Sequence, residues 1–302
     1  MGILLSEMQK ASPLPLFLSC YQYSVKLCYT LSMMIDFHTH IFPDRIAPRT
    51  LEVLSAAAGA PTHTDGTAAG LAASMAEAGI DLCVNLPVMT SALQVHKVND
   101  SLYRNRALHQ NMGILSFAGI HPDLDTYADE LRLRKEQGFI GIKLHPAYQR
   151  CDLDDPRFLH IIDCACNLGL VVLTHSGDDI GIPGHNYASV DMILHVIQQV
   201  QPEKFVLAHM GGWDAWDEVS LYLAGAPVYF DTAFSVGAFG MEPMQFYSLC
   251  KKHGTDRILF ATDSPWSGQQ VYVDIFRNLP FTEEERCAIF AGNASRLLFP
   301  AE

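Results

Sequence analysis

The chain is 302 residues long, 49% hydrophobic and 18% charged, which supplies a large core and excludes a disordered polymer. Its 33 acidic residues outnumber 20 Lys plus Arg, giving a formal charge of −13 with no basic run, so nucleic acid is disfavoured as a partner. Eight cysteines without a CxxC pair argue against a disulfide framework or a structural zinc site and for reduced thiols in a cytoplasm.

Residues 1–32 include "SPLPLFLSCYQYSVKLCYTL", an apolar patch broken by Pro13 and Pro15 with no small-residue cleavage site, hence a poor signal peptide. No apolar run here or later reaches the roughly 18 residues that a membrane-spanning helix needs. We expect this segment to be an N-terminal extension, disordered or upstream of the natural start, with Met33 or Met34 marking where the functional protein begins. From Met33 onward one rhythm repeats: a short apolar or β-branched run, a loop, then apolar residues at helical spacing. The runs are "MMIDFH" (33–38), "DLCVNLPV" (81–88), "ILSFAGIHP" (114–122) and "FIGIKLHP" (139–146). They continue with "LVVLTHSG" (170–177), "KFVLAHMGG" (204–212), "PVYFDTAFS" (227–235) and "RILFATDSP" (257–265).

Between these runs, "TAAGLAASMAEAG", "VHKVNDSLYRNRALHQ", "TYADELRLRKEQG", "PRFLHIIDCACNLG", "SVDMILHVIQQVQP" and "EPMQFYSLCKKHG" read as helices, several closed by glycine. Thr282 and Glu285 predict a capping box, and "NASRLL" a last helix. The stretch between His40 and Thr67 is long for one loop and predicts an extra helix over the barrel mouth. Strand then helix, eight times in about 265 residues, predicts a (β/α)8 TIM barrel, a single domain spanning residues 33–302. No GxGxxG follows the first strand to favour an open dinucleotide-binding sheet.

In such a barrel the active site gathers where the strands end. Six of the 13 histidines end these runs, namely His38, His40, His121, His145, His175 and His209, and Asp263 ends the eighth. Strict alternation along the first strand turns Ile35 and Phe37 toward the helix layer and Asp36, His38 and His40 into the barrel, where the two imidazoles can share a cation. A lone HxH says little. Joined to a histidine ending strand 5, another ending strand 6 and an aspartate ending strand 8, it reads as a metal-ligand set.

Lys143 shares the inward face of "GIKLHP" and is costly to bury uncompensated, so it meets a carboxylate, contacts an anionic substrate, or is carboxylated. His121 and His145 could support a ligand, touch substrate or be satisfied core groups; Asp231 could line the site or cap a helix. Arg150 in the loop after strand 4 suits a carboxylate substrate, and Trp266, with Trp213 and Trp216, could wall an apolar pocket. His185 lies in a Gly/Pro-shaped loop at the mouth. The remaining histidines, His253 among them, fall on helices or outer loops, where exposure is expected.

The set "DFHTHIFP", "GIKLHP", "LTHSG", "LAHMGG" and "FATDSPW" resembles the amidohydrolase superfamily, specifically the amidohydrolase-related (amidohydrolase-2) family of metal-dependent barrel enzymes, from Met34 to Leu298. The resemblance implies His38, His40, His175 and Asp263 as metal ligands. It implies His209 as the group that orients or deprotonates the metal-bound water in single-metal members and is a ligand in two-metal members, with Asp263 passing a proton to the leaving group. Three imidazoles and a carboxylate suit Zn²⁺ first, with Mn²⁺, Fe²⁺ or Co²⁺ as competitors; one ion is expected, two if Lys143 is carboxylated.

The leading expectation is therefore a metal-dependent hydrolase using a metal-activated water on a small amide, lactone or related carbonyl substrate. The alternative is a metal-dependent decarboxylase or hydratase of an aromatic or unsaturated carboxylic acid. A TatD-type deoxyribonuclease ranks third, because those relatives carry a glutamate among their ligands and no strand end here offers one. The expected partners are a small-molecule substrate and, for a homo-oligomer, a second copy.

Overall fold

The computed structural model describes residues 33–300, and the expectation for residues 1–32 lies outside them. All eight apolar runs become parallel strands: β1 (Ile35–Thr39), β2 (Leu82–Asn85), β3 (Ile114–Ser116), β4 (Ala118–Gly119), β5 (Gly141–Leu144), β6 (Val171–Thr174), β7 (Phe205–Leu207), β8 (Tyr229–Asp231) and β9 (Ile258–Leu259). The third run is divided at Phe117 into β3 and β4. Pairing runs β1-β2-β3 and then β4 through β9 consecutively. Phe117 N–H bonds Asn85 O at 3.0 Å, so pairing to β2 continues past β3. On the other side Phe37 N–H meets Phe260 O at 2.9 Å and His40 N–H meets Ser264 O at 2.7 Å, which closes the ring between the first and last strand runs.

Two apolar layers follow from side-chain alternation. One cluster fills the lumen with Ile35, Phe37, Val84, Phe117, Leu173 and Val206, and Ala294, Leu297 and Leu298 of the last helix join it. The other lies between strands and helices and contains Cys83, Ile142, Val172, Phe205, Phe230 and Phe260. Phe37 and Phe117 meet edge to face at 5.9 Å inside the lumen. Gly141 is glycine because a Cβ there would lie 2.5 Å from the Phe117 ring and 2.7 Å from Val171 O.

The first strand corrects the sequence reading. Ile35 and Phe37 face the lumen, whereas Asp36 turns outward to Gln269 Nε2 at 2.8 Å and Thr262 Oγ1 at 2.6 Å. His38 and His40 nevertheless reach the mouth, because the register slips: Asp36 pairs with Cys83 but Thr39 with Asn85, three steps on β1 against two on β2. One extra residue reverses which parity faces inward, as a bulge does. Strict alternation was the wrong premise for a correct placement of the two imidazoles.

Each helix expected from the sequence is present, from Ala68–Ala78 with Thr67 accepting from Gly70 N–H to the capping box of Thr282 and Glu285. The extra helix after β1 is Ala47–Ala58. A further helix, Gln269–Asn278, was missed; its β-branched "QQVYVDIF" reads poorly as helix, but Tyr272, Val273 and Phe276 bury one face against the barrel. His253 is also not exposed as expected: it is 1% accessible, stacks on Phe230 at 3.7 Å and bonds Val228 O at 2.9 Å. No helix among the described residues is long and apolar enough to cross a membrane.

Candidate metal centre

The strand ends deliver a group of imidazoles and carboxylates to the mouth. His38 Nδ1 meets Asp231 Oδ2 at 2.8 Å, and His40 Nδ1 meets the carbonyl of Leu86 at 2.7 Å. A carbonyl or carboxylate only accepts, so each Nδ1 carries a proton and Nε2 is the lone-pair atom of each ring. Burial drives the His38 pKa well below the ordinary value, with the Lys143 charge acting the same way, so its imidazole is neutral. The two Nε2 atoms stand 3.2 Å apart, and Asp263 Oδ1 lies 3.5 Å from the first and 3.1 Å from the second.

Three electron-pair donors thus converge with no proton among them. Ligands about 2.0–2.1 Å from one tetrahedral ion are separated by about 3.3 Å, which the three distances bracket. The Lys143 ammonium occupies part of this space, its Nζ 3.1 Å from His38 Nε2. A protein cation on that lone pair is a stand-in for the divalent ion the donors fit.

His175, the fourth predicted ligand, is not brought into this trio. It stacks on His145 at 4.4 Å, and both Nε2 atoms face Asp179 Oδ2, at 3.8 and 3.6 Å. His145, His175 and Asp179 form a second group with metal-ligand spacing. Its protonation differs, however. His175 Nε2 donates its hydrogen to Asp178 O at 3.1 Å, and His145 Nδ1 accepts from Tyr148 N–H at 3.5 Å, so in both rings the hydrogen sits on Nε2. Both Nε2 atoms of this second group carry hydrogens, whereas those of the first group present lone pairs.

His175 instead turns Nδ1 to His209 Nε2 at 3.0 Å. His209 is pinned by Nδ1–H to Ala233 O at 2.9 Å, while its backbone N–H donates to Asp231 Oδ1 at 3.0 Å. Val206 and Ala208 face the lumen, so alternation alone would turn His209 outward. The left-handed φ of 58° at His209 swings it back over the mouth. Burial lowers the pKa of His175 and of His209 to about 4.

Asp231 neither lines the cavity nor caps a helix; fully buried, it supports both His38 and the His209 turn. Lys143, His145 and Trp266 line the cavity, as does Trp213. Arg150 does not: it is exposed in the left-handed position that ends the short helix Pro146–Gln149, which turns it away. His121 is buried but off the cavity wall, its Nδ1 taken by Asp123 N–H at 3.2 Å. His185 pairs with Asp152 at 2.7 Å, also outside the cavity.

Asp179 and Tyr148 were missed. The only signal was "GDDIGIP", a loop whose shape depends on Gly177, where a Cβ would sit 2.2 Å from Trp213 N. There Trp213 N–H bonds Ser176 O at 2.9 Å and Asp178 N–H bonds Trp213 O at 3.1 Å, clasping the loops after β6 and β7 around the cavity.

Comparisons with known proteins agree with this fold. The family model described as "Amidohydrolase" matches residues 35–299. No curated protein matches the sequence. Among solved structures, an uncharacterised TIM-barrel protein from Bordetella bronchiseptica superposes with a TM-score of 0.69 at 18% identity over 88% of this chain and 98% of its own. A 2,6-dihydroxybenzoate decarboxylase from Rhizobium gives 0.65 at 18% identity, covering 89% and 99%. A dihydroxybenzoic acid decarboxylase from Polaromonas sp. JS666, with bound manganese and the inhibitor 2-nitroresorcinol, gives 0.65 at 18% identity, covering 89% and 97%.

Proposed function

The chain belongs to the amidohydrolase family, and we propose that it is a divalent-metal-dependent lyase that releases carbon dioxide from an aromatic or unsaturated carboxylic acid. The observation that carries this reading is Lys143. The residue is 1% accessible, and its ammonium points at the donor trio. Burial lowers its pKa to about 8, while Asp231, Asp263 and Asp179 oppose that fall, so it is mainly charged at neutral pH. An anionic substrate arriving at the trio meets this cation; a neutral amide or lactone has no use for it. The decarboxylases that share the fold support the same choice over a hydrolase.

A divalent ion held by His38, His40 and Asp263 would supply Lewis-acid polarisation of a substrate oxygen. We place Mn²⁺ ahead of Zn²⁺, since the Polaromonas relative holds manganese and a donor set of imidazole and carboxylate accepts either. In the reaction the bond from carbon to carboxylate breaks, its electron pair stays on that carbon, and a proton is delivered there. Lys143 and His145 are N–H groups on the cavity wall suited to carry it. Trp213, Trp266 and Phe234 supply apolar wall for an unsaturated ring.

One observation keeps the hydrolase as a second reading: the pinned Nε2 lone pair of His209 is a base directed into the site. The test is a panel of hydroxybenzoates and muconate-like acids assayed for carbon dioxide beside amides and lactones assayed for hydrolysis, with His209→Asn as control. Hydrolysis of a lactone or amide without carbon dioxide release from any acid would overturn the lyase reading.

A further inference from the structure

The cavity is larger than the metal centre requires. It encloses about 930 Å³, near the top of the roughly 300–1,000 Å³ found for drug-sized ligands. Its imidazoles and buried carboxylates gather at the strand ends, whereas its outer part is bounded by Ala47–Ala58 and Val95–Asn111. On the first helix Thr50, Leu54 and Ala58 line it at intervals of four, a single face about 12 Å long at 1.5 Å per residue. On the second, Val98 and Leu102 line it at the same interval.

This outer arm is apolar and wet. Leu54, Val98 and Leu102 are only half-buried, while Ile46 and Leu93, which also line it, are 45% and 94% exposed. A continuous apolar strip that leads from a catalytic mouth to the surface marks a binding surface. Arg45 and Lys97, exposed cations on the same lining, fit an anionic ligand that slides past them toward the trio.

We infer that this arm binds an apolar substituent of the substrate, so that the preferred acid is not a bare single-ring hydroxybenzoate but one extended by an alkyl chain or further ring. The assignment of an acid rests on the lyase reading above; the arm itself rests on the lining. With the acid group at the trio, the substituent lies along the row Thr50, Leu54 and Ala58 and against Val98 and Leu102.

The test titrates the manganese-loaded full chain with 2,6-dihydroxybenzoates bearing a 4-alkyl group from hydrogen to hexyl, following heat. Affinity is expected to rise about fourfold per added methylene over the first carbons, the gain for burying a CH₂. Leu54→Asn and Leu102→Asn should flatten that slope, and Thr50→Leu, which extends the apolar row, should tighten the hexyl compound. Fluorescence of 1-anilinonaphthalene-8-sulfonate, which has no carboxylate, reads the arm separately and should weaken in both Asn variants. A dye response that follows the arm variants while no acid in the series binds would sink the acid reading and keep the arm. A flat alkyl series with a dye response indifferent to all three substitutions would overturn the arm, whether a second copy of the chain or nothing covers it.

Discussion

His38 and His40 aim their Nε2 atoms at each other from 3.2 Å, each with its Nδ1 hydrogen committed to an acceptor behind it, Asp231 and Leu86 O. Two imidazoles whose hydrogens are so pinned on Nδ1 present lone pairs to one another, and Asp263 adds a third. The purified protein is therefore expected to carry one divalent ion per chain by elemental analysis. His40→Asn should lower metal affinity by more than about 100-fold, beyond the 10–100-fold typical of losing a supporting partner. Wild-type affinity in that variant would show that the ion sits elsewhere, and a ratio near two would bring back a carboxylated Lys143.

Asp231 supports His38 from behind and stands off the cavity wall. Its Oδ2 fixes the His38 tautomer and its Oδ1 takes two backbone N–H groups, from His209 at 3.0 Å and Ala233 at 3.1 Å. Asp231→Ala should weaken metal binding about 10–100-fold by competition with a chromophoric chelator, and Asp231→Asn, which keeps an acceptor, should recover part of the loss. Equal affinities in all three proteins would assign Asp231 a purely structural role.

Much of this was legible in the sequence because strand ends and barrel geometry are coupled. The eight apolar runs, the capping box at Thr282 and the ends His38, His40, His145, His175, His209 and Asp263 all follow from period and position. What escaped was set by local departures from period. The slip between Asp36 and Thr39 reverses facing on β1, and the left-handed turn at His209 aims a residue that alternation sends outward. Gln269–Asn278 is held helical by burial of Tyr272 and Phe276 against its β-branched composition. Arg150 was judged by proximity in sequence, whereas the backbone turn after Gln149 decides its direction.

The outer layer contains a buried ionic cluster whose removal should be costly. Arg134 Nε pairs with Glu130 Oε1 at 2.7 Å, each side chain 1% accessible, and Asn99 Nδ2 adds a bond to the same carboxylate at 2.8 Å. Asn99 also holds both backbone groups of Gly119 on β4 at 2.9 Å, so the cluster ties a barrel strand to two helices. Arg134→Met removes the buried cation from Glu130, leaving its carboxylate only Asn99 Nδ2 and the exposed His96 Nδ1 at 2.7 Å, and is expected to cost about 3 kcal/mol in denaturant unfolding. Arg134→Met combined with Glu130→Gln should recover most of that. A single variant within about 0.5 kcal/mol of wild type, the range of ordinary surface changes, would show that His96 and Asn99 satisfy the carboxylate without the arginine.

His253 gives the fold a pH dependence that can be isolated from the metal centre. Burial lowers its pKa to about 4 against 6.5 for the free side chain, with its bond to Val228 O opposing and Arg257 reinforcing the fall. The unfolded chain then binds a proton below about pH 6.5 that the folded chain refuses until about pH 4. The neutral, stacked ring contributes its full stability above pH 6.5, loses it progressively as pH falls, and has nothing further to lose below pH 4. At 1.36 kcal/mol per unit the span amounts to about 3 kcal/mol. His253→Gln keeps a donor for Val228 O and removes the titration. The difference in unfolding free energy between wild type and variant should therefore shrink as pH drops from 6.5 to 4, measured by urea denaturation of the metal-loaded proteins. A difference constant over that window would mean that His253 is protonated in the folded protein, with a second acceptor beside its Nδ1 in place of the Gly225 N–H that now donates to it at 3.2 Å.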